Sequence, residues 1–165
     1  MSISKEELST RLKTGMRRLA SGVSIITAKG KNNKRIAMTV SSVTSVSDNP
    51  ASLLVCVNKS ANMASALALG DTFVVNVLNQ SHQDISNACA TPEVGDSRFT
   101  LGHWVDDEST GVCFLDDAPA VFFCSVNKIV EYGTHYIYIG DLLDAKTSDS
   151  EHPLLGYANG AYHYL

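Results

Sequence analysis

The stretch Ile36–Met63, IAMTVSSVTSVSDNPASLLVCVNKSANM, decides the fold that the sequence predicts. It begins as a strand in which apolar residues alternate with polar ones. The alternation then slips by one position at Val43, which predicts a β-bulge near Ser41 and Ser42. Bulges re-aim side chains and backbone groups beside functional sites, so this part of the strand is a candidate for function.

A second strand follows after a turn. Asp48-Asn49-Pro50 predicts the turn, because Asp and Asn bond their own backbone and Pro fixes φ. The apolar run Leu53–Val57 predicts a buried strand, and Asn58-Lys59-Ser60 ends it. Strands joined by so short a link pair antiparallel, since a parallel pair needs a long crossover.

Hydroxyl groups fill most of the exposed positions of the first strand. Together with backbone N–H groups, and with Lys59 at the end of the second strand, they form a possible cradle for a flat, polar-edged ring that carries a phosphate. Rows of Ser and Thr also line ordinary solvated strands, and the residues alone leave both interpretations open. The hydroxyl residues are Thr39, Ser41, Ser42, Thr44, Ser45 and Ser47.

Length and composition predict one folded domain over residues 1–165. Hydrophobic residues make up 44% and charged residues 18%, which excludes a disordered chain. No apolar run approaches the ~18 residues of a membrane span, and the N-terminus lacks the apolar region of a signal peptide. A net charge of −4 argues against nucleic acid as the main partner, and it makes a local cluster of Lys and Arg a candidate anion site.

Several kinds of site have no motif here. The five histidines have no zinc-ligand spacing, so we expect no metal site. Neither the G-x-G-x-x-G of a dinucleotide-binding fold nor the G-x-S-x-G of a hydrolase occurs. The cysteines show no C-x-x-C spacing, which predicts reduced thiols in a cytoplasmic protein. They are Cys56, Cys89, Cys113 and Cys124.

The rest of the chain predicts short helices among hairpin-linked strands. Ser4 and Glu7 form a capping box for a first helix, whose apolar residues Leu8, Leu12, Met16 and Leu19 are expected to pack on a sheet. Residues 91–117 have the weakest periodicity in the chain, which predicts a long irregular loop. Six or more antiparallel strands can close into a small barrel. The other predicted elements are strands at 23–28, 73–78, 121–132 and 135–146, a helix at 61–69 ending at Gly70, a helix that Ser81 and Asp84 start and that runs to Cys89, and a tail hairpin through Asn159-Gly160.

The chain resembles the flavin reductase-like domain family, the short-chain NAD(P)H:flavin reductases of two-component monooxygenases. The nearest likeness is to reductase components of 4-hydroxyphenylacetate 3-monooxygenase type. Each motif is loose, but their order and spacing from about Met16 to the C-terminus are specific. The matching segments are Ala20–Thr27, Ala37–Ser47, Pro50, Leu53–Asn58, Phe73–Asn79, Arg98-Phe99, Gly133-Thr134-His135, Ile139-Gly140 and Pro153–Leu155.

The resemblance implies a mainly β fold with short α-helices: an antiparallel split β-barrel of the FMN-binding type that pairs as a homodimer. It implies hydride transfer from NADH or NADPH to FMN or FAD, and delivery of the reduced flavin to a partner monooxygenase. The alternatives are a non-catalytic FMN-binding electron carrier, a split-barrel oxidase of a phosphorylated vitamin, and a haem-binding relative.

The resemblance also implies which residues hold the flavin. Backbone N–H groups and hydroxyls of the first strand would contact the ring, and the end of the second strand would follow the ribityl chain to the phosphate. Lys59 is the first choice of charge partner and Arg98 the second, while the helix start at Ser81 and His82 favours anions. The expected cofactor-binding residues are Thr39, Val40, Ser41, Ser42, Cys56, Val57, Asn58, Lys59, Ser60, Ser81, His82, Arg98 and Phe99.

His135 is the expected contact of the nicotinamide, because the resemblance places a histidine there. A surface histidine that caps the Gly133-Thr134 turn is the alternative. Two positions depart from the family pattern. Ala161 replaces a basic residue that often precedes the last aromatic, which removes an expected tail contact to a phosphate. Met38 stands where a smaller residue is common, and it can change the fit of the flavin.

Overall fold

The computed structural model describes residues 3–92, 95–149 and 151–165. Within these ranges the α-helices are α1 (Lys5–Met16), α2 (Asn62–Ala66) and α3 (Gln83–Ala90). None of the helices described is both long and apolar enough to cross a lipid bilayer. The strands are β1 (Ser21–Gly22), β2 (Ser24–Lys29), β3 (Arg35–Val40), β4 (Thr44–Asp48), β5 (Ala51–Asn58), β6 (Thr72–Val77), β7 (Trp104–Asp106), β8 (Cys113–Leu115), β9 (Ala120–Tyr132), β10 (His135–Thr147), β11 (Leu155–Ala158) and β12 (Ala161–Tyr164).

The main sheet has seven antiparallel strands in the order β3-β2-β6-β9-β10-β5-β4. Its two edge strands, β3 and β4, follow each other in the chain with only residues 41–43 between them. Val40 and Thr44 are therefore four residue steps apart and at most about 14 Å from each other, so the two edges of the sheet must approach each other. The sheet therefore curls into a barrel that is split between β3 and β4, and we call this gap the seam.

The prediction of a β-bulge near Ser41 and Ser42 is wrong. The alternation slips because the chain leaves one edge of the sheet at Val40 and enters the opposite edge at Thr44. The Ser42 Oγ accepts a hydrogen bond from the Cys56 N–H (3.1 Å) and donates one to the Cys56 carbonyl (3.3 Å). One side chain thus continues the β4–β5 ladder where the β4 backbone has ended. A register shift does occur later, between Ser45 and Ser47.

Two apolar clusters lie on the two faces of the sheet. The barrel interior includes Val55, Phe73 and Tyr138, all at most 1% exposed. Tyr136, Tyr138 and Gly140 share a face of β10, as their spacing predicts, and a Cβ at Gly140 would stand 2.6 Å from the Phe73 ring. The second cluster covers the outside of β2 and β6 with α3, β8 and the β11–β12 hairpin.

On the outer face of β5 and β10, the described part of the chain provides no such cover. Leu54 lies opposite Ile139, and Cys56 lies opposite Ile137. All four side chains are only half-buried and belong to neither apolar cluster. On the next strand Val130 lies opposite Ile137 and is 36% exposed. A patch of five apolar residues, which we call the outer face, is therefore left open on this half of the barrel.

Helix α1 begins as predicted, because Ser4 accepts a hydrogen bond from the Glu7 N–H. The expectation that it packs on a sheet is wrong, since no residue of α1 is buried. Leu12, for example, is 64% exposed. An apolar stripe predicts that a helix needs a partner surface, but not that this surface belongs to the same chain.

Two other helices differ from their predictions. α2 ends at Ala66 instead of Leu69, because Leu67 is extended. The helical segment that ends in α3 is capped by Asn79 and not by Ser81 with Asp84: the Asn79 side chain accepts from the Ser81 N–H. The His82 ring completes this capping box by accepting from the Asn79 N–H.

The segment 91–117, predicted to be a long irregular loop, contains more regular secondary structure than expected. Its described part holds the β7–β8 hairpin, and β8 is buried against β2 and β6. Thr27 donates to the Cys113 carbonyl, and Asn76 accepts from the Leu115 N–H. Buried polar side chains of the barrel therefore hold this segment, which local periodicity could not predict. The other predicted strands and the Asn159-Gly160 hairpin are confirmed within one or two residues.

The double hydrogen bond of Ser42 is expected to stabilise the closed seam. Ser42→Ala leaves the half-buried Cys56 N–H and carbonyl without this partner, which should lower the free energy of unfolding by about 1–3 kcal/mol. Urea unfolding at fixed protein concentration measures the change. Ser45→Ala, at an exposed position of β4, is the matched control and should change stability by less than about 0.5 kcal/mol. Equal stability of the two variants would contradict this role of Ser42.

Candidate active site

A cavity of about 600 Å³ opens along β3, the strand on one side of the seam, and lies within the ordinary size range of small-molecule sites. Three segments line it. The first is β3 with the turn before it, and the second is the β5–α2 connection. The third comprises residues 89–92 at the end of α3 together with Gly95, Arg98 and Phe99. Apolar side chains from all three segments face it, namely Ile36, Met38, Met63 and Phe99.

The backbone of β3 directs alternate residues toward the seam. The Gly30 N–H bonds the Lys34 carbonyl, which fixes the register, so Ile36, Met38 and Val40 bond to β2. Ala37 and Thr39 therefore point their N–H and carbonyl groups away from β2. The Ala37 carbonyl accepts a hydrogen bond from Arg98 Nη1 (2.8 Å).

The β5–α2 connection forms the facing wall. The Asn58 Oδ1 accepts hydrogen bonds from the Ser60 N–H (3.0 Å) and the Ser60 hydroxyl (2.9 Å). The Asn58 carbonyl accepts from the Ala61 N–H. These bonds hold Asn58 and Ser60 in one tight turn, with both side chains at the cavity.

The described lining of the cavity is cationic. It includes Lys31, Lys34, Arg35 and Arg98, and none of the Asp or Glu residues that the structure describes. Arg35 pairs with Asp106 (2.8 Å), which offsets part of its charge, and it lies 5.9 Å from the centre of the Phe99 ring. In a chain of net charge −4, this concentration of positive charge selects an anionic ligand.

Cys89 also lines the cavity but contributes no charge. Burial raises the pKa of its thiol to about 11, although Arg98 nearby lowers it in part. The thiol is 2% exposed and stays protonated at neutral pH. Cys89 is therefore a packing residue and not a nucleophile.

The expected flavin-binding residues fall into distinct places. Asn58, Ser60, Arg98 and Phe99 line the cavity. Val40 and Val57 have side chains in the barrel interior, so at most their backbone can meet a ligand. Ser41 lies in the link across the seam. The remaining hydroxyls are engaged in the fold, because Thr39 donates to the Ser86 carbonyl and Ser42 bonds to Cys56.

Lys59 lies beside the cavity but is not part of its lining. Its ammonium group pairs with Glu131 and sits 5.4 Å from the centre of the Tyr136 ring. Glu131 neutralises much of the charge that Lys59 could offer to an anion. Arg98 therefore replaces Lys59 as our first choice of charge partner.

Ser81 and His82 are not brought to this cavity. They lie at the beginning of the helical segment, whereas the end of α3 lines the cavity. His82 is 1% exposed and caps the helix, and its Nε2 lies 3.2 Å from the Asp117 carboxylate without the alignment of a hydrogen bond. Cys56 lies on the outer face of β5.

His135 is exposed and begins β10, directly opposite Asn58 of β5. Its Nδ1 lies 2.9 Å from the Thr134 hydroxyl, and the Thr134 carbonyl accepts from the Lys59 N–H. The turn before β10 is thereby joined to the end of β5. His135 thus stands at the strand end next to a cavity-lining residue, away from the barrel interior.

Sequence reasoning missed the cations before β3. Lys31, Lys34 and Arg35 are not among the binding residues that the sequence predicts. The signal was present, since residues 29–35 read KGKNNKR, with four basic residues and no acidic one. Around the cavity, no metal site competes with an anion site: the described residues contain no group of three or more His, Cys, Asp or Glu that could hold a metal ion.

Comparison with known proteins agrees with this geometry. Over 161 residues the chain is 36% identical to the reductase component of FADH(2)-dependent resorcinol hydroxylase from Rhizobium sp., covering 97% of this chain and 89% of the relative. Over 153 residues it is 36% identical to FMN reductase (NADH) RutF of Pantoea ananatis, covering 93% and 79%. The structure matches BorF, the flavin reductase component of a bacterial two-component tryptophan halogenase, with a TM-score of 0.84, 32% identity, and 95% and 98% coverage.

A model of the flavin reductase like domain matches residues 16–165. This match covers most of the chain, and the antiparallel split barrel with a cationic cavity along β3 is consistent with it. The chain therefore belongs to the flavin reductase-like domain family.

Proposed function

We propose that this protein is an NAD(P)H:flavin oxidoreductase that reduces FMN or FAD and supplies reduced flavin to a separate monooxygenase. The observation that carries the proposal is the cationic, partly apolar cavity along β3, in a chain of this family. The resorcinol hydroxylase relative and BorF are both named as reductase components of such two-component systems.

The residues present fit a flavin. Ile36, Met38 and Phe99 offer apolar surface to a planar ring, while Arg98 offers charge to a phosphate. Met38, the departure from the family pattern, is one of the residues that line this space. Ala161 lies on exposed β12 and offers no charge, so we infer that the phosphate contact comes from the cavity side.

When flavin and nicotinamide are bound, they supply the chemistry, a hydride that passes from nicotinamide C4 to flavin N5. The chain has to position the rings, exclude water and stabilise negative charge at the ring edge. The N–H groups of Ala37 and Thr39, directed at the seam, are suited to that last task. Arg98 is held by the Ala37 carbonyl, so its positive charge is fixed beside them.

We infer that the protein acts as a homodimer. The outer face is apolar, and no residue that the structure describes covers it, whereas the outside of β2 and β6 is covered. The outer face consists of Leu54, Cys56, Val130, Ile137 and Ile139. A second copy of this chain would bury the same patch from each side, as a twofold dimer requires. The apolar stripe of α1, equally uncovered, supplies further surface for such pairing.

We also infer one domain over residues 1–165 and a cytoplasmic location. All four cysteines are free thiols. Burial raises the pKa of Cys113 to about 11 and that of Cys124 to about 12, which suits inert core thiols in a reducing compartment.

The proposed function is tested by measuring aerobic oxidation of NADH and NADPH with added FMN or FAD. We expect turnover that saturates with free flavin. Yellow protein that retains its flavin through gel filtration but does not turn over would support the electron-carrier alternative instead. Protein that neither binds nor reduces flavin would contradict the proposal.

His135→Ala should raise the KM for the nicotinamide cofactor with little change in flavin affinity, because we place its ring on the nicotinamide side. Steady-state kinetics with varied NADH, together with a flavin binding titration, separate the two effects. His103→Ala, at an exposed position in the 91–117 segment, is the matched control. An unchanged KM in His135→Ala would remove the residue from the site.

Arg98→Ala should weaken FMN binding about 10- to 100-fold, since one charge-assisted contact contributes roughly 1.5–3 kcal/mol. Equilibrium titration of flavin fluorescence measures the change. Arg98→Lys keeps the charge and should recover part of the affinity. Lys59→Ala removes the same charge beside the cavity and should have a smaller effect; a larger one would restore Lys59 as the main partner.

Ile137→Glu should convert the dimer to a monomer, because it places a charge in the middle of the outer face. Light scattering after gel filtration gives the mass of each variant. Leu69→Glu introduces the same charge at a 65% exposed apolar residue outside this face and should leave the dimer intact. A wild-type monomer, or a dimeric Ile137→Glu variant, would refute this interface.

A further inference from the structure

The cavity wall formed by β3 is held in place by side chains. β3 is an edge strand of the seven-stranded sheet, so side-chain bonds hold its outward edge instead of a neighbouring strand. The Ala37 carbonyl accepts from Arg98 Nη1 (2.8 Å), and the Thr39 hydroxyl donates to the Ser86 carbonyl of α3 (2.7 Å). Thr39 does not line the cavity, but residues 36–38 immediately before it do. The bond at Thr39 therefore fixes the lining next to it.

Ser86 lies at the centre of this support and is fully buried, with 0% of its surface exposed. Its hydroxyl shares a hydrogen bond with the Tyr162 hydroxyl (2.8 Å), while its carbonyl accepts from Thr39. The two bonds join residues that are 76 and 47 positions apart in the chain. A continuous series of hydrogen bonds therefore runs from the C-terminal β11–β12 hairpin, through one residue of α3, to the edge of β3. We call Tyr162, Ser86 and Thr39 the hydroxyl chain.

The C-terminal hairpin directs two tyrosines at α3. Tyr162 and Tyr164 are two residues apart on β12, so their side chains share one face of the strand. The Tyr164 hydroxyl donates to the Gln83 Oε1 (2.7 Å), at the first residue of α3. Tyr162 thus contacts the helix residue that holds β3, whereas Tyr164 contacts the helix about one turn earlier.

The ring and the hydroxyl of Tyr162 have separate roles. The ring packs against the apolar cluster outside β2 and β6, and its centre lies 5.4 Å from that of the Tyr157 ring in an edge-on arrangement. Replacing Tyr162 by Phe keeps both contacts but leaves the buried Ser86 hydroxyl without this partner. A buried polar group that loses its partner is costly, so α3 has to shift until the hydroxyl finds another bond. Such a shift loosens the hold of Ser86 on Thr39.

We propose that Tyr162 is a positioning residue of the cavity: through Ser86 and Thr39, its hydroxyl keeps the β3 wall in the arrangement that binds ligand. The inference rests on the proposed function only in that the cavity binds a flavin. In this role Tyr162 touches neither flavin nor nicotinamide. When the wall is correctly arranged for only part of the time, the apparent affinity falls by that fraction. The hydroxyl chain therefore acts on flavin binding, and hydride transfer in the filled site keeps its rate.

The first test compares Tyr162→Phe with Tyr164→Phe, which is the matched control. Each variant removes one hydroxyl that reaches α3 from β12, and each keeps the aromatic ring. Hydrogen–deuterium exchange in the flavin-free protein measures how readily each segment opens. In Tyr162→Phe we expect faster exchange in α3 and in residues 35–40 of β3, with β9 and β10 unchanged. In Tyr164→Phe the exchange of β3 should equal that of the wild type.

The second test measures FMN binding by fluorescence titration and turnover by steady-state kinetics. In Tyr162→Phe the Kd for FMN should rise about 3- to 10-fold, the effect of one ordinary hydrogen bond. The kcat at saturating flavin and NADH should stay within about twofold of the wild type, since only binding is affected. Tyr164→Phe should bind FMN as the wild type does.

Ser86→Ala breaks the hydroxyl chain at its centre and provides an independent variant. Its Kd for FMN should rise by a factor similar to that of Tyr162→Phe. Because the two residues act through the same bond, the double variant Tyr162→Phe/Ser86→Ala should bind FMN no more weakly than the weaker single variant.

Unchanged exchange in β3, or an unchanged Kd for FMN, in Tyr162→Phe would overturn the proposal. Equal effects in Tyr164→Phe, or faster exchange throughout β9 and β10, would overturn it as well, because they would show a general loosening of the fold. Additive losses in the double variant would separate Tyr162 from Ser86, and a lowered kcat with unchanged Kd would place the hydroxyl in the reaction itself.

The proposed function fails separately from this positioning role. FMN binding that depends on the Tyr162 hydroxyl, without oxidation of NADH or NADPH, would refute the reductase and support the role of Tyr162. Flavin-dependent turnover with a Kd that ignores this hydroxyl would support the reductase and refute the role of Tyr162.

Discussion

The three-residue link between Val40 and Thr44 is the constraint on which the rest of the structure depends. It joins the two edges of a seven-stranded sheet, so the sheet must curl until those edges meet. Because strands twist in one sense and the link is short, the edges approach without pairing along their whole length. The cavity lies along the unpaired edge of β3, where the N–H and carbonyl groups of Ala37 and Thr39 point away from β2. The candidate site is thus a consequence of incomplete closure and needs no separate loop domain.

Charge is distributed in a way that supports this arrangement. The protein is acidic as a whole, yet the described lining of the cavity has four basic residues and no acidic ones. The surrounding negative charge repels anions from the rest of the surface. The difference in electrostatic potential between the cavity and that surface is therefore larger. Acidic partners such as Asp106 orient individual cations without entering the cavity. Glu131 instead holds the Lys59 ammonium group beside the cavity, so this charge is not part of the lining.

Much of the fold could be predicted because its signals are local. The strands at Leu53–Val57 and Phe73–Leu78, the cap at Ser4 and the Asn159-Gly160 turn each depend on residues close in sequence. The resemblance added the barrel and the family, and both are confirmed.

The errors have a common physical cause, since they concern contacts between residues distant in the chain. The Thr39 hydroxyl bonds a carbonyl 47 residues away, and the Ser42 hydroxyl bonds one 14 residues away, so their use in the fold is invisible in the local pattern. A histidine that follows a strand can either bind an anion or cap a helix. His82 caps the helical segment that ends in α3. The basic residues at 29–35 form a charge cluster in the sequence, but only the fold brings Lys31, Lys34 and Arg35 to the cavity.

The seam also determines when this protein can fold. β4 and β5 form a local hairpin, but β5 reaches the rest of the sheet only through β10, some 80 residues later in the chain. During synthesis the N-terminal third therefore leaves the ribosome with two strand edges that have no neighbour. Long-range pairing of this kind folds slowly, and exposed edges bind other chains. Closure of the barrel has to await β9 and β10, so the last long hairpin to be made is the one that completes the sheet.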